Sequence, residues 1–295
     1  MAQAATVTSF VACRRLASTL VELPCETDFM TTRVLGSTHR TDTVEAHQAA
    51  IERVVNYMKT HLEEPLDLNR LAVVAAISKF HFVRVFEEAT GTTPHHFLGC
   101  LRIQRAKERL LHSEASITEI CMEVGYTSLG SFSQTFTELV GVSPTEFRAL
   151  PTHLTPRDFA NAVRRFIAAY RKIPGRQLEG VIEAPPKPRG FIFVGAFTKG
   201  VPTGVPNSGT VQLRPGTFRI AQPATPEFHL LAVLIPFSAN LTELVVNLPI
   251  GLVASLRVQR SEATAPFTPR LSLRPMRPTD PPIVVALPAL LPGAR

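Results

Sequence analysis

No apolar run in the chain reaches the ~18 residues that a membrane-spanning helix needs, so no transmembrane helix is expected. Arg14 and Arg15 follow only a short apolar patch, and a secretory signal is not expected either. Cys13, Cys25, Cys100 and Cys121 lie far apart, with no CxxC pair and no Cys/His cluster at zinc spacing. That distribution argues against a disulfide scaffold or a zinc site and fits reduced thiols in a cytoplasm. The sequence also lacks a nucleophile triad, paired acids at usable spacing and a phosphate-binding loop. His95 and His96 are adjacent, so on a helix they point different ways and cannot chelate together. No cofactor, metal or catalytic activity is expected.

What the chain does have is positive charge, +7 over 295 residues, and such a balance invites a nucleic-acid partner. The location of the charge weakens that inference. Residues 45–150 hold 3 Lys and 7 Arg against 12 Glu and 1 Asp, a net charge of −3. The surplus sits in 151–180, at +4, and in 181–295, at +6. Any case for DNA must therefore rest on local pattern.

Residues 1–41, rich in Thr, Ser and Ala without a sustained period, are expected to be a flexible leader. From Val44 the period turns helical, with Ile51, Val54, Val55, Met58 and Leu62 forming one apolar stripe. Asp67 can cap a helix over 68–75, and Ser78 another over 79–89 that Gly91 stops. Thr93-Pro94 opens a longer helix to about Leu111. The pattern then replays. Ser116-Ile117-Thr118-Glu119 is a capping box whose helix Gly125 stops. Thr127 or Ser128 caps a helix to about Leu139, Gly141 stops it, and Ser143-Pro144-Thr145-Glu146 is a second capping box.

The replay is an internal repeat. FEEATGTTPHHF (86–97) and FTELVGVSPTEF (136–147) share Phe, Gly, Pro and Phe at one offset of 50. Upstream, at an offset of 49, Ala72 matches Cys121 and Ala76 matches Gly125. Two short helices joined by a tight turn need a small residue at their crossing and a left-handed position in the turn. Phenylalanines on the second helix (Phe82 and Phe86, Phe132 and Phe136) then hold the pair together. The connecting helix, about 18 residues, spans roughly 27 Å. With its flanking turns it could hold two such units about one DNA turn, ~34 Å, apart.

Residues 47–149 resemble the DNA-binding domain of the AraC/XylS family of transcription regulators. The likeness rests on Ser78, His81, Phe82, Arg84 and Phe86, on Gly91-x-Thr93-Pro94, and on Leu101-Arg102 with Ala106 and Leu110. It continues through Ile117-x-Glu119-Ile120-Cys121, Gly125-Tyr126, Phe132, Phe136 and Gly141-x-Ser143-Pro144-x-x-Phe147-Arg148. The resemblance implies an all-α double helix-turn-helix of homeodomain-like repeats, which puts two recognition helices into adjacent major-groove segments of double-stranded DNA. It also implies RNA polymerase as a partner. By motif, the base-reading candidates are Lys79, Phe80, Val83 and Arg84 on the first recognition helix. On the second they are Leu129, Gly130, Ser131, Ser133 and Gln134, where family members often carry Arg in place of Gln134. Arg102, Arg105, Ser116 and Ser143 are candidate phosphate contacts. Some DNA-repair proteins join a similar domain to a zinc-bound, methyl-accepting cysteine, but the dispersed Cys13 and Cys25 do not supply that site.

Beyond residue 150 the reading changes. An amphipathic helix from 155 to about 172, with Arg157, Arg164, Arg165, Arg171 and Lys172 outside, makes 151–180 a basic linker. Residues 181–295 hold 18 of the 25 prolines, between short β-rich runs. Strands are expected at 190–197, 210–213, 217–221, 228–235, 252–259, 271–274 and 283–287, together an antiparallel β-sandwich. GTFRIAQPATPEFHLLAV (216–233) resembles the strand-turn-strand of transthyretin-like and carboxypeptidase regulatory sandwiches. A gyrase-inhibitor type of sensing module, with a helix at 239–248, is the alternative. Either would be the place for a small-molecule or protein effector.

Overall fold

A computed structural model describes residues 35–153, 164, 168, 170, 175–186, 188–203, 206–236, 251–259 and 268–284. The described part of the N-terminal half is helical: α1 (Leu35–Thr60), α2 (Leu68–Ala75), α3 (Lys79–Thr90), α4 (Pro94–His112), α5 (Ile117–Glu123), α6 (Leu129–Val140) and α7 (Pro144–His153). The C-terminal half carries β1 (Gln177–Glu183), β2 (Gly190–Phe197), β3 (Ser208–Gln212), β4 (Gly216–Ala221), β5 (Glu227–Pro236), β6 (Leu252–Gln259) and β7 (Arg270–Ser272). Residues 43–295 form one unit by their contacts, so both halves belong to it.

Local chemistry sets the helix ends. The Asp67 carboxylate accepts from the Arg70 N–H at 2.7 Å, and the Thr93 hydroxyl accepts from the His96 N–H at 3.3 Å. Ser128 rather than Thr127 caps α6, accepting from the Ser131 N–H. Gly91 and Gly141 close α3 and α6 in the left-handed region, at φ 72° and 94°, which costs a residue without Cβ nothing. The apolar stripe of α1 behaves as its period requires: Ile51, Val54, Val55 and Met58 are fully buried. α1 also starts at Leu35, inside the segment expected to be leader.

Two separate helical cores result. Ile51, Met58, Leu71, Ala72, Phe82, Phe86 and Phe97 anchor one beneath α2 and α3. Ile103, Ile120, Cys121, Phe132, Phe136 and Phe147 anchor the other beneath α5 and α6. The turn within each pair passes through a left-handed residue, Ala76 at φ 59° and Gly125 at φ 84°. Among the described residues Ala76 is the only non-glycine at positive φ.

In the C-terminal half, β4-β1-β7 make one sheet and β3-β2-β5-β6 a second. Leu178, Phe218 and Leu271 of the first share a core with Ile192, Val194, Phe228 and Leu230 of the second. Most strand expectations hold within two residues, with three corrections. β1 was not anticipated, and the expected boundary at 180 falls inside it. β1 pairs with β7 in parallel, Val181 opposite Arg270, so the half is not purely antiparallel. Ile283 and Val284 are not in a strand, and 285–287 lie outside the described residues. So do the helix expected at 239–248 and most of the basic helix of the linker.

A Cβ on Gly125 would collide with the Leu62 carbonyl and the Arg102 guanidinium, whereas Ala76 already tolerates its turn. Gly125→Ala is therefore expected to lower stability by about 2 kcal/mol or more, adding left-handed strain to a clash. Ala76→Gly should stay within about 1 kcal/mol of the parent. Urea unfolding of the two variants beside the parent chain separates these outcomes.

Candidate nucleic-acid interface

Each helix pair stands on a ladder of three phenylalanine rings. In the first, Phe82 meets Phe86 and Phe86 meets Phe97, both with centroids 5.5 Å apart. In the second, Phe132 meets Phe136 at 5.7 Å and Phe136 meets Phe147 at 5.5 Å. All six are fully buried. Helical geometry then turns the other side of α3 and α6 outward, because residues three or four apart share a face.

The base-reading candidates lie on that outward side. Lys79, Phe80 and Arg84 are exposed on α3, and Phe80 keeps 90% of its surface in water. Phe80 thus offers a large apolar side chain in the first turn of α3, uncovered among the described residues. Val83 is half-buried and packs against the first core, so its methyl groups serve two surfaces. On α6, Leu129, Gly130, Ser131 and Gln134 are exposed and Ser133 is half-buried. Leu129 keeps 41% of its surface exposed. Among the described residues the Arg84 side chain makes no ion pair. α6 carries no Lys or Arg at all.

The phosphate candidates fare differently. The Arg102 guanidinium donates through Nε to the Leu62 carbonyl at 2.9 Å and through Nη2 to the Glu64 carbonyl at 2.8 Å. It also lies 5.9 Å from the Tyr126 ring centroid. It is a splint between the loop before α2 and the turn of the second pair. Arg105 is exposed and paired with Glu108 at 3.0 Å, one turn along α4. At Ser116 the capping box is complete, the Glu119 carboxylate accepting from the Ser116 N–H at 2.6 Å. At Ser143 the Glu146 carboxylate does the same at 2.8 Å. Those hydrogen bonds hold both carboxyls below the usual range. A phosphate arriving at either helix start would meet a carboxylate already in place, which argues against Ser116 and Ser143 as anchors.

Three sets of side-chain contacts were not anticipated from the sequence. Arg148 donates to the Leu110 carbonyl at 3.2 Å and the Ala115 carbonyl at 2.5 Å, tying α7 to the last turn of α4 and to the loop before α5. Lys107, on α4, is only 2% exposed; its Nζ donates to the Val284 carbonyl at 3.0 Å and sits 5.5 Å from the Phe147 ring centroid. Lys199, beyond β2, pairs with Glu138 of α6 at 2.9 Å. An arginine in a G-x-S-P-x-x-F-R run was visible beforehand, but its carbonyl acceptors were not. Among the described residues there is no metal-binding group of three or more His, Cys, Asp or Glu. Among them, too, no helix is long and apolar enough to cross a membrane.

With this geometry in view, the chain can be set beside known proteins. A family model described as a helix-turn-helix domain matches residues 71–150. The MmsAB operon regulatory protein of Pseudomonas aeruginosa is 41% identical over 93 residues, covering 31% of this chain and 30% of that protein. An uncharacterized HTH-type transcriptional regulator of Staphylococcus aureus (strain COL) is 33% identical over 98 residues, covering 33% of this chain and 13% of the relative. The chain thus spans less than a third of either relative's length. Among solved structures, an AraC-type DNA-binding-domain regulator from Chromobacterium violaceum aligns at 29% identity and a TM-score of 0.35, covering 37% of this chain and 96% of that one. The DNA-binding domain of AdpA, solved with a target DNA, aligns at 31% identity and a TM-score of 0.33, covering 34% and 90%.

Two measurements test the roles assigned to Arg102 and Lys107. Arg102→Ala should lower stability by about 1–3 kcal/mol, because two carbonyls lose a charged donor. Its effect on the salt slope of DNA binding should be nil, whereas loss of a phosphate contact would reduce that slope by about one. Burial pushes the Lys107 amine down to about 7, while an unfolded chain keeps a lysine near ~10.4. Between those values the unfolded chain binds the extra proton, so the Lys107 contribution to stability rises with pH. The rise should approach about 1.4 kcal/mol per unit from pH 7 to 9, and it should be missing in Lys107→Met measured by urea unfolding across that range.

Proposed function

We propose that this chain, whose residues 71–150 belong to the AraC-type helix-turn-helix family of DNA-binding transcription regulators, is a double-headed, sequence-specific reader of double-stranded DNA. The observation that carries the reading is the duplicated phenylalanine ladder. It buries one side of α3 and of α6 alike and leaves the first turn of both in water. α4, at 19 residues and about 28 Å, has the length to set two recognition helices into adjacent major-groove segments.

The two heads carry different chemistry. On α3, Arg84 suits bidentate contact with guanine O6 and N7, and Phe80 suits packing against a thymine methyl. Lys79 adds charge beside them. On α6, Gln134 suits an adenine, while Leu129, Gly130, Ser131 and Ser133 offer van der Waals contact and hydroxyls but no cation. That head would depend on close fit and on DNA shape. The two sheets of the C-terminal half form the sandwich in this reading, and they are where a small-molecule or protein effector would act. RNA polymerase and a cytoplasmic location follow from the regulator role.

Selection from random duplexes with the full chain tests the proposal. It should enrich a bipartite motif spanning two adjacent major-groove segments, and recovery of no motif would end the reading. Against the enriched site, Arg84→Ala should relax the preference at one base pair by about 1–3 kcal/mol, and Phe80→Ala should relax another. A loss that is uniform across sequences would make Arg84 a phosphate residue instead.

A further inference from the structure

The two helical cores differ in where their residues come from. Among the described residues, the core beneath α2 and α3 draws only on residues 51–101. The core beneath α5 and α6 includes Val201 and Val284, 1% and 0% exposed, which belong to the C-terminal half. We propose that the C-terminal β-domain controls the second reading head and leaves the first autonomous. The proposal rests on the double-headed reading above and adds which head is regulated.

Two further contacts join the C-terminal half to the second helix pair. Lys107 projects from α4 into the junction, and the Val284 carbonyl is the acceptor that its Nζ uses. Were the segment carrying Val284 to leave, a buried amine would lose its partner and the second core would lose an apolar side chain at once. Lys199 reaches Glu138 on α6 itself, so the loop after β2 holds the recognition helix directly. The first head meets the β-domain through lighter contacts. Gln48 donates to the Thr279 hydroxyl at 3.1 Å, and the backbone of Gly200 passes close enough to the Gly91 carbonyl to exclude a side chain there. Neither contact enters the first core.

Apolar residues shared between a core and a neighbouring domain make the two fold together. A ligand or partner that shifts the loop at 201 or the segment at 284 therefore reopens the second core and displaces α6. The first head keeps its base contacts. The regulated event is then a change between one-site and two-site reading, rather than wholesale gain or loss of DNA.

The experiment uses the full chain and three duplexes: the selected site, and the same site with its first or second half scrambled. In the parent, scrambling either half should weaken binding at least tenfold. In Val284→Asp and in Val201→Asp, scrambling the second half should weaken binding less than twofold, with the first-half effect intact. Hydrogen exchange on the same samples should show α5 and α6 losing protection while α2 and α3 keep theirs. Val284→Ala, which shortens the side chain without adding charge, should give a smaller loss at the same half. Equal loss at both halves, or no loss despite a released 281–284 segment, would overturn the proposal. A parent chain indifferent to both halves would instead overturn the double-headed reading on which it rests.

Discussion

Edge-to-face contact between phenylalanine rings on either side of a glycine turn gives both helix pairs their shape. Phe86 and Phe97 meet at 89° across Gly91, and Phe136 and Phe147 meet at 73° across Gly141. Each contact joins the end of one helix to the start of the next, so it fixes a crossing rather than merely filling a volume. Aromatic pairs in this geometry contribute roughly 0.5–1.5 kcal/mol beyond the area they bury. Their larger effect is directional. With the rings held, the outward faces of α3 and α6 cannot rotate, and the side chains in their first turns are presented in a set order.

Two such units need a rigid relation, and the connector helix supplies it through its arginine more than through its length. Arg102 takes two carbonyl acceptors from the loop before α2 and lies beside Tyr126 of the second turn. Gly125 then has no freedom to be anything larger, since its Cβ would occupy the space of that guanidinium and of the Leu62 carbonyl. The left-handed turn and the arginine are thus one device. The first unit manages its own turn with Ala76, whose side chain is exposed.

How much of this could be read beforehand depends on the range of the interaction. Caps, glycine stops and the repeat are local, and the capping boxes at Ser116 and Ser143 form with the partners their spacing implies. The strand β1 is a different case. Gln177, Glu179 and Glu183 make it look polar, and Gly180 looks like a boundary. In the sheet Gly180 lies opposite Phe218, whose ring fills the space a Cβ would need, so the glycine is a strand residue under an aromatic cover. Arg102 finds its acceptors about forty residues upstream, and Lys107 finds its own 177 residues downstream. No helical period encodes such partners; Lys107 falls beside the core positions of α4 and would read as a surface lysine.

Electrostatics completes the asymmetry between the heads. Residues 45–150 carry a net charge of −3 while the chain as a whole carries +7. Phosphate neutralisation sets the salt-dependent part of affinity for DNA, and Arg102 and the capped helix starts at Ser116 and Ser143 are already engaged within the protein. Charge in the C-terminal half acts at short range only, since screening at physiological ionic strength has a length of about 8 Å; farther away it can steer an encounter but not hold a complex. In the double-headed reading α3 brings Lys79 and Arg84 to the duplex, and α6 brings no cation. What α6 contributes must come from fit. Fit is the quantity that residues shared with another domain can change, because a shift of Val201 or Val284 moves the core on which α6 stands without altering a single group on its exposed face.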